Sequence, residues 1–296
     1  MNSFAPVNPN LIDVVLPPSG YPAELAAEDT RDALIDVCGD AARDFPKELW
    51  IEPKDWEEKA RQNDADKTWP INYVDRFTNQ NPTHECTCHS LRTNAEAARN
   101  RQRGIIYADG PKKEQRYEES GKGSVWLSPL SIYAEANPAR WGGANVRQVM
   151  EIAVKRGFLP DKIQPHDYGF KHTLTGTSGE GNMNQSGGEW VALKDFPAGW
   201  EKTAAWFKPL EVIFAESWEQ AVCLVLNGRV NSVGRSGHAV PWSMWNAKEQ
   251  VMAYVDSYNI VRYDSLSTVK SAWDGSFSIA TMTTPDDWSK PAGTDI

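Results

Sequence analysis

The chain has 296 residues, 40% hydrophobic and 24% charged, which is typical of a soluble globular protein with one large core or two modest ones. Its formal charge of −9 excludes a general nucleic-acid or anionic-membrane surface, because both require basic patches. No apolar run approaches the roughly 18 residues of a membrane span, and the first residues lack the pattern of a secretory signal. A cytoplasmic or virion-associated protein is therefore expected.

Residues 1–68 are predicted to form an acidic N-terminal extension that contains an extended arm and helices. Residues 1–20 are rich in Pro and Asn, residues 23–44 show helical spacing of apolar side chains, and a second helix is predicted from Pro53. Through Trp69, fifteen acidic and seven basic residues give a net charge of −8, which leaves −1 for the remainder. The acidic bias indicates either solvated helix faces or an accessory or inhibitory segment, which could bind a protein partner.

Residues 69–296 change from a helical front half to a strand-rich back half, which indicates an α+β fold of two lobes with a cleft between them. Helices are predicted over residues 86–102, closed by Gly104, and over residues 143–156, closed by Gly157. Strands are predicted at residues 104–108, 221–228, 236–245, 250–258 and 277–282. Surface loops are predicted at residues 109–123 and 171–189.

Two cysteines stand one residue apart in the segment QNPTHECTCHS, residues 80–90. The chain has only four cysteines, so a reducing compartment is favoured over a disulfide-built scaffold. A structural metal site is disfavoured, because no second ligand pair is present and Cys86 and Cys88 would lie about 200° apart around a helix. A redox pair is disfavoured because the spacing is C-x-C rather than C-x-x-C. No metal and no cofactor are expected.

The third interpretation of this segment is a nucleophilic thiol. Cys86 follows a turn-like approach and begins a predicted helix, where unpaired N–H groups and the helix dipole lower the pKa of a thiol. Acyl transfer also requires a base, a group that orients the base, and stabilisation of the oxyanion. The remaining sequence has to supply those groups.

Four segments of the chain resemble the papain-like cysteine peptidases and occur in the order found in that family. They are PINYVDRFTNQNPTHEC, with Gln80 six residues before Cys86; LSPLSIYAEANPARWGGANVRQVMEIAVKRG, with Gly142 and Gly143 before a helix; GHAV, with His238; and VDSYN, with Asp256 and Tyr258. They span the chain from about Trp69 to Asn259. The resemblance implies a papain-like fold, with a helical lobe and a β-barrel-like lobe around a cleft, in residues 69–296.

The resemblance also implies a catalytic triad. Cys86 would be the nucleophile, His238 its base and later its general acid, and Asp256 the residue that orients the imidazole. The family usually has asparagine where this chain has Asp256, but a carboxylate can also accept the imidazole N–H. Thr87 stands where an aromatic residue is usual in the family.

Other matched residues are implied to serve the oxyanion and the substrate. Gln80 would share oxyanion stabilisation with the backbone N–H of Cys86. Gly142 and Gly143 would let a substrate backbone approach, and Tyr258 would shield the orienting contact. His89 is expected to neighbour the site without catalysing.

Three functions stay open at this point. The first is cleavage of peptide or isopeptide bonds in a peptide or protein substrate through an acyl-enzyme. The second is a papain-like fold used as a non-catalytic structural or binding protein, for example a component of a viral particle. The third is an amidase or transferase that applies the same Cys-His-Asp chemistry to a non-protein amide.

Overall fold

The computed structural model describes residues 30–74, 85–107, 125–136, 143–160, 196, 198–235, 237–257 and 261–283. These ranges contain the helices α1 (Arg31–Cys38), α2 (Trp56–Asp66), α3 (Cys86–Gln102), α4 (Leu130–Ala136), α5 (Val146–Arg156), α6 (Trp200–Ala204), α7 (Trp218–Leu226) and α8 (Leu266–Ala272). They also contain the strands β1 (Ala42–Arg43), β2 (Pro209–Phe214), β3 (Asn231–Arg235), β4 (His238–Trp242), β5 (Met244–Asn246), β6 (Val251–Val255), β7 (Val261–Ser265) and β8 (Ser276–Met282).

The strands form two open sheets, and their combination with helices confirms the α+β class. The larger sheet has the order β1-β2-β8-β3-β4, with β1 parallel to β2 and the other pairs antiparallel. The smaller sheet, β5-β6-β7, is antiparallel. One residue, Ser243, separates β4 from β5, and its backbone N–H donates to the carbonyl of Ala253 at 3.1 Å. Strand β4 is therefore the last strand of its sheet and lies close to β6.

Helix α3 is polar in sequence, yet every residue from Cys86 to Asn100 is buried. It packs against β3, β4 and β8. Asn94 joins it to the sheet: its amide donates to the Phe277 carbonyl at 3.2 Å, and its oxygen accepts from the backbone N–H of Ile279 at 3.0 Å. Buried polar groups are stable only when hydrogen-bonded, so these bonds fix the position of α3 on the sheet.

The end of α3 is also held by β8. The Arg101 guanidinium donates to the carbonyl of Ala280 at 3.0 Å, and the Gln102 amide exchanges hydrogen bonds with the backbone of Met282. The helix ends before Gly104, whose φ of 66° favours glycine. The predicted bounds, 86–102, and the predicted stop at Gly104 are confirmed.

Part of the predicted N-terminal extension packs into the main body of the protein. Leu34 and Cys38 of α1 are buried in a core shared with α3 and α5, and β1 adds to the edge of the larger sheet beside β2. The boundary at residue 68 and a protein partner for the extension stay predictions. The predicted arm at residues 1–20 and the loops at 109–123 and 171–189 lie outside the described residues.

Two predicted strands are wrong. Residues 221–228 belong mainly to helix α7, which Ser217 caps by accepting from the backbone N–H of Gln220. Residues 104–108 form no strand in their described part, where Tyr107 instead donates its backbone N–H to the carbonyl of Asn72 at 2.7 Å. The strands predicted within 236–245, 250–258 and 277–282 are confirmed. None of the eight helices in the described ranges has the length and hydropathy needed to cross a membrane.

Candidate active site

Cys86 is the first residue of α3 and lies against strand β4. Its side chain is buried, and the backbone N–H of Ala239 lies close enough to its sulfur to lower the pKa of the thiol. Ala239 directly follows His238, the first residue of β4. The structure therefore brings the predicted nucleophile next to the strand that begins with the predicted base.

Burial raises the pKa of the Cys86 thiol to about 11. The nearby backbone N–H groups of Ala239, Thr87 and Cys86 itself lower this pKa, and the nearby charge of Glu85 raises it. The expected lowering of the pKa at the helix N-terminus is therefore wrong in its net direction, because the loss of hydration outweighs the backbone donors. A thiolate at neutral pH would need a proton acceptor or a cation beside it.

A tight turn holds His238 at the start of β4. Gly237 has a φ of 79°, which favours glycine, and Arg235 of β3 pairs directly with His238. His238 is 3% exposed, and the remaining residues of β4 are also buried. The backbone of His238 is therefore fixed by the β3–β4 hairpin.

Asp256 directly follows β6 and is buried. Its carboxylate accepts from Nε of Arg262 on β7 and forms an ion pair with it. Asp256 also lines a small cavity together with His89, Ser90, Thr93, Pro241, Val255 and Ser257. The carboxylate thus lies between β7 and the first turns of α3, close to the strand that contains His238.

A second histidine lies near the start of α3. His89 is buried, and its Nε2 is 3.7 Å from the carboxylate of Glu85, one helical turn before it. His89 and Asp256 line the same cavity, and the place of His89 beside the site stays a prediction. The i, i+4 spacing of Glu85 and His89 is a sequence signal for their contact, whereas no local pattern pairs Arg262 with Asp256.

The other predicted site residues are described in part. Gly143 is half-buried and lies two residues before Asn145, whose side chain caps α5. Gln80, Gly142 and Tyr258 lie outside the described residues, so their proposed roles stay predictions.

All four cysteines are free and buried: Cys38, Cys86, Cys88 and Cys223. Burial raises the pKa of Cys88 well above its ordinary value, so it is a core residue beside the predicted nucleophile. Within the part of the chain that the structure describes, no group of three or more His, Cys, Asp and Glu side chains is placed to hold a metal ion.

Among solved structures the chain is similar to xylellain, a cysteine protease from Xylella fastidiosa. The similarity covers 70% of this chain and 82% of that chain, with 13% sequence identity and a TM-score of 0.49. No protein-family model and no curated protein matches the chain. At this level of similarity the function has to be argued from the residues of the chain itself.

Proposed function

We propose that the chain is a papain-like cysteine hydrolase of peptide or amide bonds, in which Cys86 is the nucleophile and His238 its base. The observation on which the proposal depends is the position of the Cys86 sulfur beside the backbone N–H of Ala239, in the same buried core. It supports the pairing because Ala239 is the residue after His238. A peptide or protein is the proposed substrate.

In the proposed reaction the sulfur of Cys86 attacks the carbonyl carbon of the scissile amide while His238 accepts the thiol proton. His238 donates that proton to the leaving amine as the C–N bond breaks, which leaves a thioester on Cys86. Water then attacks the thioester while His238 accepts a proton from it. The C–S bond breaks, the proton returns to the sulfur, and a carboxylic acid is released. Asp256 orients the imidazole, and Gln80 with the backbone N–H of Cys86 stabilises the oxyanion.

The burial of Cys86 makes the base essential to this proposal. A thiol whose pKa is about 11 is almost fully protonated at neutral pH. His238 therefore has to accept the proton, either in a resting thiolate–imidazolium pair or during the attack.

Two hydrophobic cores support a two-lobed arrangement. One includes side chains of α1, α3, α4 and α5, and the other includes side chains of α2, α7, β5 and β6. Cys86 and Ala239 belong to the first core, whereas Val240 and Trp242 of the same strand belong to the second. The proposed site thus lies where the two cores meet, as expected for a cleft between lobes.

One observation favours the second candidate, a non-catalytic structural or binding protein. Cys86 is only 1% exposed, and a nucleophile must reach its substrate. A buried thiol with a raised pKa is typical of an unreactive core cysteine.

Hydrolysis of unfolded casein and of a panel of fluorogenic peptide amides distinguishes the two candidates. The variants are Cys86→Ala and His238→Ala, and the matched control is Cys223→Ala, which removes a buried thiol from the other core. The hydrolase predicts turnover in wild type and Cys223→Ala, with loss in both site variants. Mass spectrometry of quenched reactions should find the acyl adduct on Cys86. Equal background hydrolysis in all four proteins would support the structural role instead.

A further inference from the structure

The buried carboxylate of Asp256 forms an ion pair with a neighbouring cation, Arg262. The Asp256 side chain is fully buried, and the Arg262 side chain is 15% exposed. Arg262 pairs with Tyr254 across β6 and β7, and Asp256 is two residues beyond Tyr254. Side chains two residues apart in extended chain point to the same side, so the register directs Arg262 towards Asp256.

A second buried carboxylate on the same pair of strands accepts hydrogen bonds from donors of a different kind. Asp264 of β7 accepts from the indole Nε1 of Trp242 at 2.8 Å and from the hydroxyl of Tyr254 at 3.3 Å. Both of these donors are neutral. The Arg262 donor to Asp256, by contrast, carries a full positive charge, and both carboxylates are buried to a similar degree.

We propose that Arg262 is a positioning residue of the candidate site, which fixes the Asp256 carboxylate and compensates its charge in the proposed role of that carboxylate, the orientation of the His238 imidazole. The inference rests on the proposed function for the role of Asp256. A compensated carboxylate can still accept the imidazole N–H, but it attracts the imidazolium less than a bare carboxylate does. Arg262 thereby limits how firmly His238 holds its proton, which a base that must later release the proton requires.

The charges around His238 set the signs of the expected effects. Removing the cation at Arg262 leaves a bare carboxylate, so the pKa of His238 should rise. Removing the carboxylate at Asp256 leaves a bare cation, so the pKa of His238 should fall. Among the described residues, His89 lines the cavity beside Asp256, Glu85 lies next to His89, and Arg235 pairs with His238 across β3 and β4. These ionisable residues are unchanged in every variant.

The test is the titration of His238 by NMR. The chain has five histidines, and the ring resonance of His238 is assigned by its loss in His238→Ala. All variants contain Cys86→Ala, so that the thiol does not titrate together with the imidazole. We expect Arg262→Gln to raise the pKa of His238 and Asp256→Asn to lower it, each by about one unit, the size of effect that a close charge produces. The double variant should return close to the parent value.

Two controls separate positioning from general structural support. Asp264→Asn removes the other buried carboxylate and should leave the pKa of His238 unchanged. If Arg262→Gln does not fold, Asp256→Asn is compared with Asp256→Asn/Arg262→Gln, in which no carboxylate is left unpaired. The pKa of His238 should then be lower by about one unit in the variant that keeps the arginine.

An unchanged pKa of His238 in all folded variants would overturn the inference and leave an ion pair that only supports the fold. That outcome is independent of the proposed hydrolysis, which is judged by turnover and by the adduct on Cys86. If the pKa of His238 shifts with the predicted signs but no turnover is found, Arg262 is coupled to His238 and the proposed hydrolase is rejected.

Discussion

The backbone N–H of Ala239 lies beside the sulfur of Cys86, so the first residue of the central helix meets the edge strand of the larger sheet. The helix reaches this place because its polar side chains are bonded to the sheet along its length, from Asn94 to Gln102. The position of Cys86 therefore depends on the whole fold, and a substitution that loosens the helix from the sheet should also disturb the site.

A buried ion pair within α3 also holds the helix in place, and its contribution to stability can be tested. Arg92 donates to both oxygens of Glu96, at 2.9 and 2.6 Å, and Glu96 also accepts from the backbone N–H of Leu127 at 2.7 Å. Both side chains are fully buried, so Glu96→Gln removes a buried negative charge that lies directly against the Arg92 guanidinium. We expect the free energy of unfolding to fall by about 3–5 kcal/mol, measured by urea denaturation.

The exposed pair Glu151 and Lys155 has the same i, i+4 spacing and provides the control for this substitution. Glu151→Gln should cost about 0.5 kcal/mol or less, because solvent screens an exposed pair. Similar losses in the two variants would show that burial does not decide the strength of the Arg92–Glu96 pair.

Gly157, which ends α5, is predicted to be irreplaceable for a steric reason. Its φ is 93°, and a Cβ at this position would lie 2.0 Å from the carbonyl oxygen of Ala204. Gly157→Ala should therefore lower the free energy of unfolding by about 3–5 kcal/mol, from strain and overpacking together.

Gly104→Ala separates the two contributions. Gly104 also has a positive φ, 66°, but a Cβ there would meet nothing within 4 Å. Its substitution should cost about 1–2 kcal/mol, the backbone strain alone. Equal losses at the two glycines in thermal or urea unfolding would contradict the role assigned to the Ala204 carbonyl.

Local signals in the sequence predicted the framework of the site but not its electrostatics. Helix α3 was predictable because Gly104 marks its end and a turn-like segment precedes Cys86. The apolar run of α7 is buried on all sides, so it has no helical periodicity to distinguish it from a buried strand. This is why residues 221–228 were assigned to the wrong element.

Contacts between elements that are distant in the sequence could not be predicted from local sequence patterns. The pairing of Arg262 with Asp256 depends on the register of β6 and β7, which the sequence does not specify on its own. The raised pKa of Cys86 depends on burial by residues from other elements, whereas the helix N-terminus was visible as a local feature. Local chemistry was therefore predictable, but the net effect of the surroundings was not.

The three buried thiols outside the proposed Cys86–His238 pair predict a loss of stability in alkali. Burial raises the pKa of Cys38 to about 12 and the pKa of Cys223 to about 11, and it raises the pKa of Cys88 well above its ordinary value. In the unfolded chain these thiols ionise near their ordinary value of about 8.5, so from about pH 9 to 11 the unfolded chain binds fewer protons than the folded one. The free energy of unfolding should therefore fall as the pH rises, by up to about 1.4 kcal/mol per unit for each thiol.

Cys38→Ala measures how much a single thiol contributes to the loss of stability in alkali. Urea unfolding with a reductant at about pH 8 and about pH 10.5 should show a smaller alkaline loss in this variant than in wild type, because one fewer proton is released on unfolding. Any cavity left by the substitution lowers the free energy of unfolding equally at the two pH values. Identical pH dependence in the two proteins would show that Cys38 does not titrate as its burial predicts.

The most direct measurement of the central claim is the pH dependence of iodoacetamide alkylation, read at each cysteine by mass spectrometry, in wild type and His238→Ala. If His238 is the base of Cys86, then Cys86 in wild type should react with a midpoint below the ordinary thiol pKa of about 8.5. In His238→Ala the midpoint should move towards about 11, the pKa that burial, the nearby backbone N–H groups and Glu85 together give the thiol. Cys38 and Cys223 should react slowly in both proteins and serve as internal controls. A Cys86 that titrates near 11 in both proteins would contradict the Cys86–His238 pair and favour the structural role.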